Sequence, residues 1–159
     1  WRHFGTYFFR TQVDMLNGSP VIVMPLRISL KEFQPTKSQR RVLRKNEDVR
    51  LEIHPIHLTA EHHALFHRHK QRFTENQPAT LQDFLSPEPA ITPCLAYECR
   101  VSDSKTGNIM GVSFVDIGDE ALSSVYAMFD PDEEQRSLGI FTLLCEIDYA
   151  KQLGKEYLY

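Results

Sequence analysis

Apolar residues recur along this chain with two different periods, and the change of period marks out its elements. Val49, Leu51 and Ile53 alternate with Arg50, Glu52 and His54, which predicts a half-buried strand over residues 49–56. Alternation returns after Cys94. Leu95, Tyr97, Cys99 and Val101 fall on one face, Met110, Val112 and Phe114 form the facing row of a second strand, and Ser123 to Phe129 supplies a third. Turn residues separate them (Ser102 to Asn108, then Ile117-Gly118-Asp119-Glu120), so the stretch reads as an antiparallel meander. Nearer the N-terminus, the polar turn Asn17-Gly18-Ser19-Pro20 precedes the β-branched run Val21 to Ile28, a strand whose Pro25 implies an edge or a bulge.

Helical spacing appears in three other places. Ser38 can cap a short helix through Val42, Leu43 and Lys45, with Asn46 as its stop. Thr59 opens a second helix carrying Leu65, Phe66, Lys70 and Phe73, and a short helix is expected from Thr80. The longest begins at Asp130-Pro131-Asp132, where proline and three acidic residues suit a first turn. It runs through Ile140, Leu143, Leu144, Ile147 and Ala150 to Gly154. A strand near Glu156 follows, and the proline-rich Ser86 to Pro93 is a connector. Two helices, a meander and a strand–helix–strand unit predict an α+β fold with a mixed, largely antiparallel sheet flanked by helices. That order is the one found in acetyltransferase-like proteins of the GCN5-related N-acetyltransferase type.

At 159 residues the chain is expected to form a single domain over residues 1–159. Its opening on Trp1 and its end at Tyr159, inside a strand-like run, suggest a portion of a slightly longer protein. No apolar run reaches the roughly 20 residues a membrane span needs, so no membrane partner is expected. Three cysteines without Cys-x-x-Cys spacing fit a reducing cytoplasm and argue against a disulfide framework or a cysteine metal site.

Charge changes the picture more. Net charge is −3, yet Lys37, Arg40, Arg41, Arg44 and Lys45 fall within nine positions that hold no acid. With no i,i+4 acidic partners these cations repel one another, a cost that makes sense if an anion binds there. A second candidate anion site is the turn Arg136-Ser137-Leu138-Gly139, where a strand feeds a helix start and backbone N–H groups can hold a phosphate. Phe141 stands where coenzyme A-binding turns carry a small residue, which argues against ordinary coenzyme A. Asp116 and Asp130, at strand ends, and Tyr126, in the strand before this turn, are candidate acid–base groups, and Tyr126 and Asp130 are the favoured catalytic pair. His63 and His67, spaced i,i+4, read better as an exposed helix face than as metal ligands, and Cys145 reads as core.

Several blocks together resemble the aminoacyl-tRNA–protein transferases, the arginyltransferases and bacterial leucyltransferases that act on N-terminal Asp or Glu. They are Met24-Pro25-Leu26-Arg27-Ile28; Phe33-x-Pro35-Thr36-Lys37-Ser38-Gln39-Arg40-Arg41-Val42-x-Arg44-x-Asn46; Phe66-His67-Arg68-His69; and Asp130-Pro131 with Arg136-Ser137-Leu138-Gly139-x-Phe141. Trp1-Arg2-His3-Phe4-Gly5 and Phe8-Phe9-Arg10 resemble the entry to this region. The resemblance covers nearly the whole chain and is to the catalytic C-terminal region. It implies an acetyltransferase-like fold and transfer of Arg or Leu from aminoacyl-tRNA to proteins with an acidic N-terminus, marking them for degradation. It places Arg27, Lys37, Ser38, Gln39, Arg40, Arg41, Arg44 and Arg68 at the substrate, and Arg136, Ser137, Leu138 and Gly139 at the donor end. Family members carry cysteines tied to an iron–sulfur or other metal site ahead of the Pro-Leu-Arg segment. Residues 11–23 contain none, so no cofactor or metal is carried over. The alternatives are an acetyl-CoA-dependent N-acetyltransferase of the same fold, or a non-catalytic module that binds acidic termini or RNA.

Overall fold

The computed structural model describes residues 2–10, 13–74 and 79–159. Trp1, named above, and the first two residues of the 11–23 stretch lie outside the described residues. Among the described residues there are ten strands and three α-helices. In chain order they are β1 (Arg2–Phe4), β2 (Tyr7–Phe9), β3 (Val13–Leu16), β4 (Ser19–Ile22), β5 (Ile28–Ser29), α1 (Lys37–Lys45), β6 (Val49–Pro55), α2 (Ala60–Lys70), β7 (Ala96–Asp103), β8 (Ile109–Ile117), β9 (Ala121–Phe129), α3 (Leu138–Gln152) and β10 (Tyr157–Leu158). Short 3-10 turns lie at Leu81–Asp83 and Pro131–Arg136.

Six strands form the main sheet in the order β5-β10-β9-β8-β7-β6. All pairs are antiparallel except β10 on β9. The parallel pair follows from its connection: α3 carries the chain back across the sheet before β10. This is the α+β, mixed and largely antiparallel layout expected from the sequence. β1–β2 and β3–β4 are separate two-stranded hairpins. No helix among the described residues is long and apolar enough to cross a membrane.

Each sheet face has its own core. On one, Val112, Phe114 and Met128 pack with Leu65 and Phe66 of α2 and with Leu81 and Leu85. On the other, Cys99, Val101, Val115 and Leu122 meet Leu138, Phe141, Leu144 and Ile147 of α3. Val42 and Leu43 of α1 cover this second core. Each fully buried Leu, Ile or Phe contributes about 1.5–3 kcal/mol, which outweighs any helix propensity.

The structure departs from the sequence reading at several points. The Val21 to Ile28 run is not one strand. β4 stops at Ile22 and β5 starts at Ile28, with Pro25 in the unpaired stretch between, where its missing N–H costs no ladder bond. Asn17 and Gly18, both at positive φ (50° and 77°), form the hairpin turn alone, the left-handed pair a two-residue hairpin favours. Ser19 and Pro20 already belong to β4. Thr36, not Ser38, caps α1: its hydroxyl accepts from the Gln39 N–H at 3.3 Å, and the Gln39 Oε1 accepts from the Thr36 N–H at 2.8 Å. Such a box contributes about 1 kcal/mol. Phe73 lies beyond the end of α2, Leu95 precedes β7, and the helix expected from Thr80 is a single 3-10 turn.

Irregularities in register re-aim two side chains. The β7–β8 register slips between Val101 and Ser102, which turns Met110 away from Val112 and Phe114 and onto Leu138 and Phe141. A second slip, opposite Phe114 and Val115, leaves Val125 as the extra residue in β9. The long helix also starts later than expected. Pro131–Arg136 is a separate 3-10 turn, Ser137 sits in the left-handed region at φ 56°, and α3 begins at Leu138. Ile140, expected on the buried row, is 46% exposed. Gly154 at φ 69° ends α3 as expected, with the Lys155 N–H bonded to Ala150 O and the Gly154 N–H to Lys151 O.

Candidate active site

The basic segment and the turn before α3 meet. Arg136 donates two parallel bonds to Asp48, from Nη1 to Oδ1 at 2.8 Å and from Nη2 to Oδ2 at 3.0 Å, and its Nε bonds Glu133 at 2.9 Å. Asn46, the buried stop of α1, donates from Nδ2 to Val42 O and to Arg136 O. Lys45 Nζ donates to Gln135 O. The end of α1 is thus bolted to the residues that lead into α3. An open cleft of about 560 Å³ lies at this junction, lined by Arg44, Lys45, Asp48, Asp132, Gln135 and Arg136, with Glu47 and Glu133. The hydrogen bonds to Asp48 raise the Arg136 guanidinium further above its ordinary range, and Arg136 in turn holds Asp48 below the usual carboxylate range. Arg136 is therefore spent on holding the turn rather than left free for a ligand. Asp48, its partner, escaped notice in the sequence because an acid 88 positions away carries no spacing signal.

At the start of α3, the Ile140 and Phe141 N–H groups fold back onto Ser137 O. Leu138 and Gly139 are left as the N–H groups outside the helix ladder. A Cβ on Gly139 would touch the Phe129 ring at 3.4 Å, so a small residue suits this close crossing. Phe141 is 6% exposed and packs on Cys99, Val101 and Met110. Its ring is turned into the core, so it does not close the helix start, and the argument against coenzyme A drawn from it falls away.

The other basic candidates are spread along α1. Lys37, Arg40, Arg41 and Arg44 lie on its outer side, and all four are exposed. Arg40 reaches back to Pro35 O at 2.5 Å, while Ser38 bonds Thr36 within the cap and Gln39 completes the box. None of these carries an acidic partner among the described residues.

Arg68 and Asp130 are brought together on the opposite side of the 3-10 turn. Arg68 Nη2 donates to Asp130 Oδ2 at 2.8 Å, and Asp130 Oδ1 accepts the Asp132 N–H at 3.2 Å. With both oxygens engaged, Asp130 anchors α2 to the turn. Tyr126 lies four residues earlier, its ring stacked on Phe84 at 4.2 Å and edge-on to Phe66 and His69. Burial raises its phenol pKa, so it holds its proton at neutral pH. Next to it, burial lowers His69, whose Nδ1 lies 3.1 Å from Phe129 O.

Arg27 sits apart from all of these. Its guanidinium lies 4.1 Å from the centre of the Tyr157 ring and bonds the Tyr159 hydroxyl at 3.3 Å. It lines a cleft of about 450 Å³ at the open ends of β8, β9 and β10, together with Cys94, Asp116, Asp119, Glu120 and Tyr159. Asp116 was singled out in the sequence, but His3 and Cys94, which gather round it, were not. Burial and the Asp116 carboxylate push the Cys94 thiol up to about 12.

The histidines divide by burial. His63 is half-buried and His67 exposed on α2, and they form no metal-binding group among the described residues. His62 is fully buried and turns to Glu98, whose side chain is 0% exposed. His62 Nε2 lies 3.2 Å from this carboxylate, Arg100 Nη2 2.8 Å and His54 Nε2 3.4 Å. Burial alone would raise Glu98; the His62 bond and the charges of His62, Arg100 and His54 overcome it and leave Glu98 below its ordinary value.

Glu146, under the sheet on α3, is the reverse case. Neither of its oxygens has a hydrogen-bond partner among the described residues, and burial pushes it up to about 7, against weaker opposing pulls from the Ser113 and Ser124 hydroxyls. A carboxyl raised in the folded state binds more protons than the unfolded chain does between its two pKa values, so stability falls as pH rises from about 4.5 to about 7. Glu146→Gln is expected to abolish that slope and to raise the melting temperature at pH ~8, above both values, as read by circular dichroism across pH.

Residues 56–159 match the family described as arginine-tRNA-protein transferase, C terminus. The chain belongs to this family. Aspartate/glutamate leucyltransferases resemble it over most of its length: one from Agrobacterium fabrum is 33% identical over 84% of this chain and 58% of its own, and one from Saccharophagus degradans 31% identical over 86% and 58%. One from Marinobacter nauticus is 28% identical over 100% of this chain and 65% of its own. The chain thus spans about three fifths of the length of these relatives. Among solved structures, L-PGS from Bacillus licheniformis is similar at TM-score 0.55 and 10% identity, over 83% of this chain and 42% of that one, a likeness of fold alone.

An iron–sulfur cluster of the kind associated with this transferase family does not fit the cysteines present. Four thiolates are the usual requirement, and the chain has three cysteines. Cys99 and Cys145 are free thiols in the same core cluster, and the neighbouring Cys145 together with burial holds the Cys99 thiol well above its ordinary value. Cys94 lies in the Arg27 cleft.

Proposed function

We propose that this chain carries out aminoacyl transfer from aminoacyl-tRNA to the α-amino group of proteins that begin with Asp or Glu, with Arg or Leu as the transferred group, and so marks them for degradation. The observation that carries this reading is the junction of α1 with the start of α3. A row of cations without acidic partners among the described residues runs directly to the start of α3, where the Leu138 and Gly139 N–H groups lie outside the helix ladder, in a chain belonging to the arginine-tRNA-protein transferase family. Polyanion and acyl end can then lie on one continuous surface.

The chemistry asks little covalent help of the protein. The amine nitrogen bonds to the ester carbonyl carbon, the ester C–O bond breaks, and the ribose oxygen of the tRNA leaves with the proton that the amine gives up. Alignment and charge stabilisation are the main requirements. Lys37, Arg40, Arg41 and Arg44 neutralise tRNA phosphates, while the Leu138 and Gly139 N–H groups receive the anionic acceptor end. Arg136 fixes these two regions relative to each other. Tyr126, protonated at neutral pH, suits donation to a developing oxyanion or to the leaving oxygen, not removal of the amine proton. Arg27 is exposed, stacked on an aromatic ring and without a carboxylate bonded to it among the described residues, but it lies by Ala121, at the other end of β9 from Phe129 and Gly139 and ~25 Å away, so it can meet a later part of the acceptor protein and not the side chain of the residue whose amine reacts.

Two measurements test the reading. Reversing Arg40 or Arg41 to Glu is expected to weaken tRNA binding, and to lower the slope of log K against log salt by about one for each phosphate no longer neutralised; binding unaltered in strength and slope would place these cations on an idle surface. Calorimetry with acetyl-CoA separates the second reading, which the free helix start favours: a pyrophosphate would also suit the Leu138 and Gly139 N–H groups, and acetyl transfer without aminoacyl transfer would replace the proposal.

A further inference from the structure

His3, Cys94 and Asp116 come from three distant parts of the chain, yet each offers one ligand atom and all three atoms lie within 4.8 Å of one another. His3 belongs to the β1–β2 hairpin, Cys94 follows the proline-rich connector, and Asp116 lies near the end of β8. His3 has a fully buried side chain, and Asp116 is 6% exposed. A tetrahedral zinc ion with bonds of about 2.0–2.3 Å to nitrogen, oxygen and sulfur separates its ligand atoms by roughly 3.3–3.6 Å. Side-chain adjustments of about an ångström or less bring the trio to that spacing.

Hydrogen-bond arithmetic points the same way. His3 Nε2 lies 2.9 Å from Gly5 O, which can only accept, so Nε2 carries a proton. The other nitrogen, Nδ1, faces Asp116 Oδ1 at 2.9 Å. With Nε2–H held by a backbone carbonyl, a neutral imidazole aims its lone pair from Nδ1 straight at a carboxylate oxygen. Two acceptors then face one another unless a cation comes between them or a further proton is taken up. A backbone carbonyl that fixes the far ring nitrogen is the usual support of a metal-bound histidine. Thiolate and carboxylate together carry the two negative charges that a divalent ion neutralises.

We propose that His3 Nδ1, Cys94 Sγ and the Asp116 carboxylate bind one zinc ion, whose fourth position opens into the cleft that holds Arg27. Cys94 and Asp116 both line that cleft, so the open position is reached from the same side as Arg27, Tyr157 and Tyr159. The ion also ties the β1–β2 hairpin to the sheet. Among the described residues that hairpin also meets the rest of the protein through the Gly5 N–H to Phe84 O bond, the Phe4–Phe84 ring contact, the Gly5–Leu85 bridge and contacts of β1 with β9. The ligand set is not the cysteine group discussed above, and the site stands or falls independently of aminoacyl transfer.

The test is cobalt substitution of the full-length protein, read by absorption spectroscopy, with zinc competition. Cobalt added to the chelator-treated protein is expected to give the intense visible bands of a tetrahedral site and a thiolate charge-transfer band, both displaced by one equivalent of zinc. Cys94→Ser should remove the charge-transfer band, and His3→Ala should lower zinc affinity by about tenfold or more. The double variant His63→Ala/His67→Ala should leave every signal in place. Cys94→Ser replaces one sulfur by oxygen at a half-exposed position, so it keeps the test decisive if His3→Ala does not fold. Spectra that lack the thiolate band, that keep it in Cys94→Ser, or that vanish only in the His63/His67 variant would overturn the proposal.

Discussion

Replacing Glu98 by alanine is expected to destabilise the fold by about 3–5 kcal/mol. The carboxylate is wholly enclosed and receives His62, Arg100 and His54 side chains, with the His57 N–H at 3.4 Å. Its removal strands an arginine whose side chain is 20% exposed and a histidine whose side chain is 0% exposed. Breaking one partner of such a group costs far more than the group contributes net, because the remaining charge stays desolvated. Glu98 also has a pH signature. Its carboxyl is depressed in the folded state, so its contribution is fully present above the unfolded value of about 4.5 and is lost as pH falls through the folded value. Urea melts should therefore show Glu98→Gln with a flatter acid limb than the wild type. A loss below about 1 kcal/mol for Glu98→Ala, the size of a single ordinary hydrogen bond, would mean that this network is not what joins α2 to β7.

Arg136→Ala is expected to cut the rate of aminoacyl transfer by about 100-fold while hardly moving the melting temperature. The side chain holds Asp48 with two bonds, Glu133 with one and the Lys45 carbonyl with another. Its partners are substantially exposed, Asp48 at 64% and Glu133 at 38%, and exposed pairs add little to stability. Geometry is the greater loss: without Arg136 the start of α3 is no longer registered against the cations of α1, and a displacement of about 1 Å is enough for a hundredfold effect. Asp48→Asn should fall between, since an amide accepts only part of the fork. Single-turnover transfer alongside thermal melts reads both quantities; an Arg136→Ala protein with wild-type turnover would remove Arg136 from the site.

What was legible in the sequence is what depends on local pattern. The meander declared itself because alternation at Val112, Phe114 and Met128 survives in the sheet, and Asn46 and Gly154 end helices by short-range bonds. The errors arose where a local signal had two solutions. Thr36 and Ser38 are both good caps, and only Gln39 reaching back to the Thr36 N–H decides between them. Asp130-Pro131 is a sound helix start, but it starts a 3-10 turn, because Ser137 in the left-handed region breaks the run before α3. Met110 obeys the alternation in sequence and violates it in space, where the register slip turns it over. Arg136 and Asp48 were invisible as a pair, and so was the convergence of His3, Cys94 and Asp116, since side chains so far apart along the chain leave no spacing to read. The cationic run in α1 was plain from charge alone; that it ends against the start of α3 needed the packing of α1 on α3.

The most direct measurement is transfer of radiolabelled arginine or leucine from charged tRNA by the full-length protein onto two peptides that differ only in the first residue, Asp or Ala. The expected result is label on the Asp peptide with one of the two donors and none on the Ala peptide. Absence of label on either peptide with both donors, or equal labelling of the two, would contradict the account.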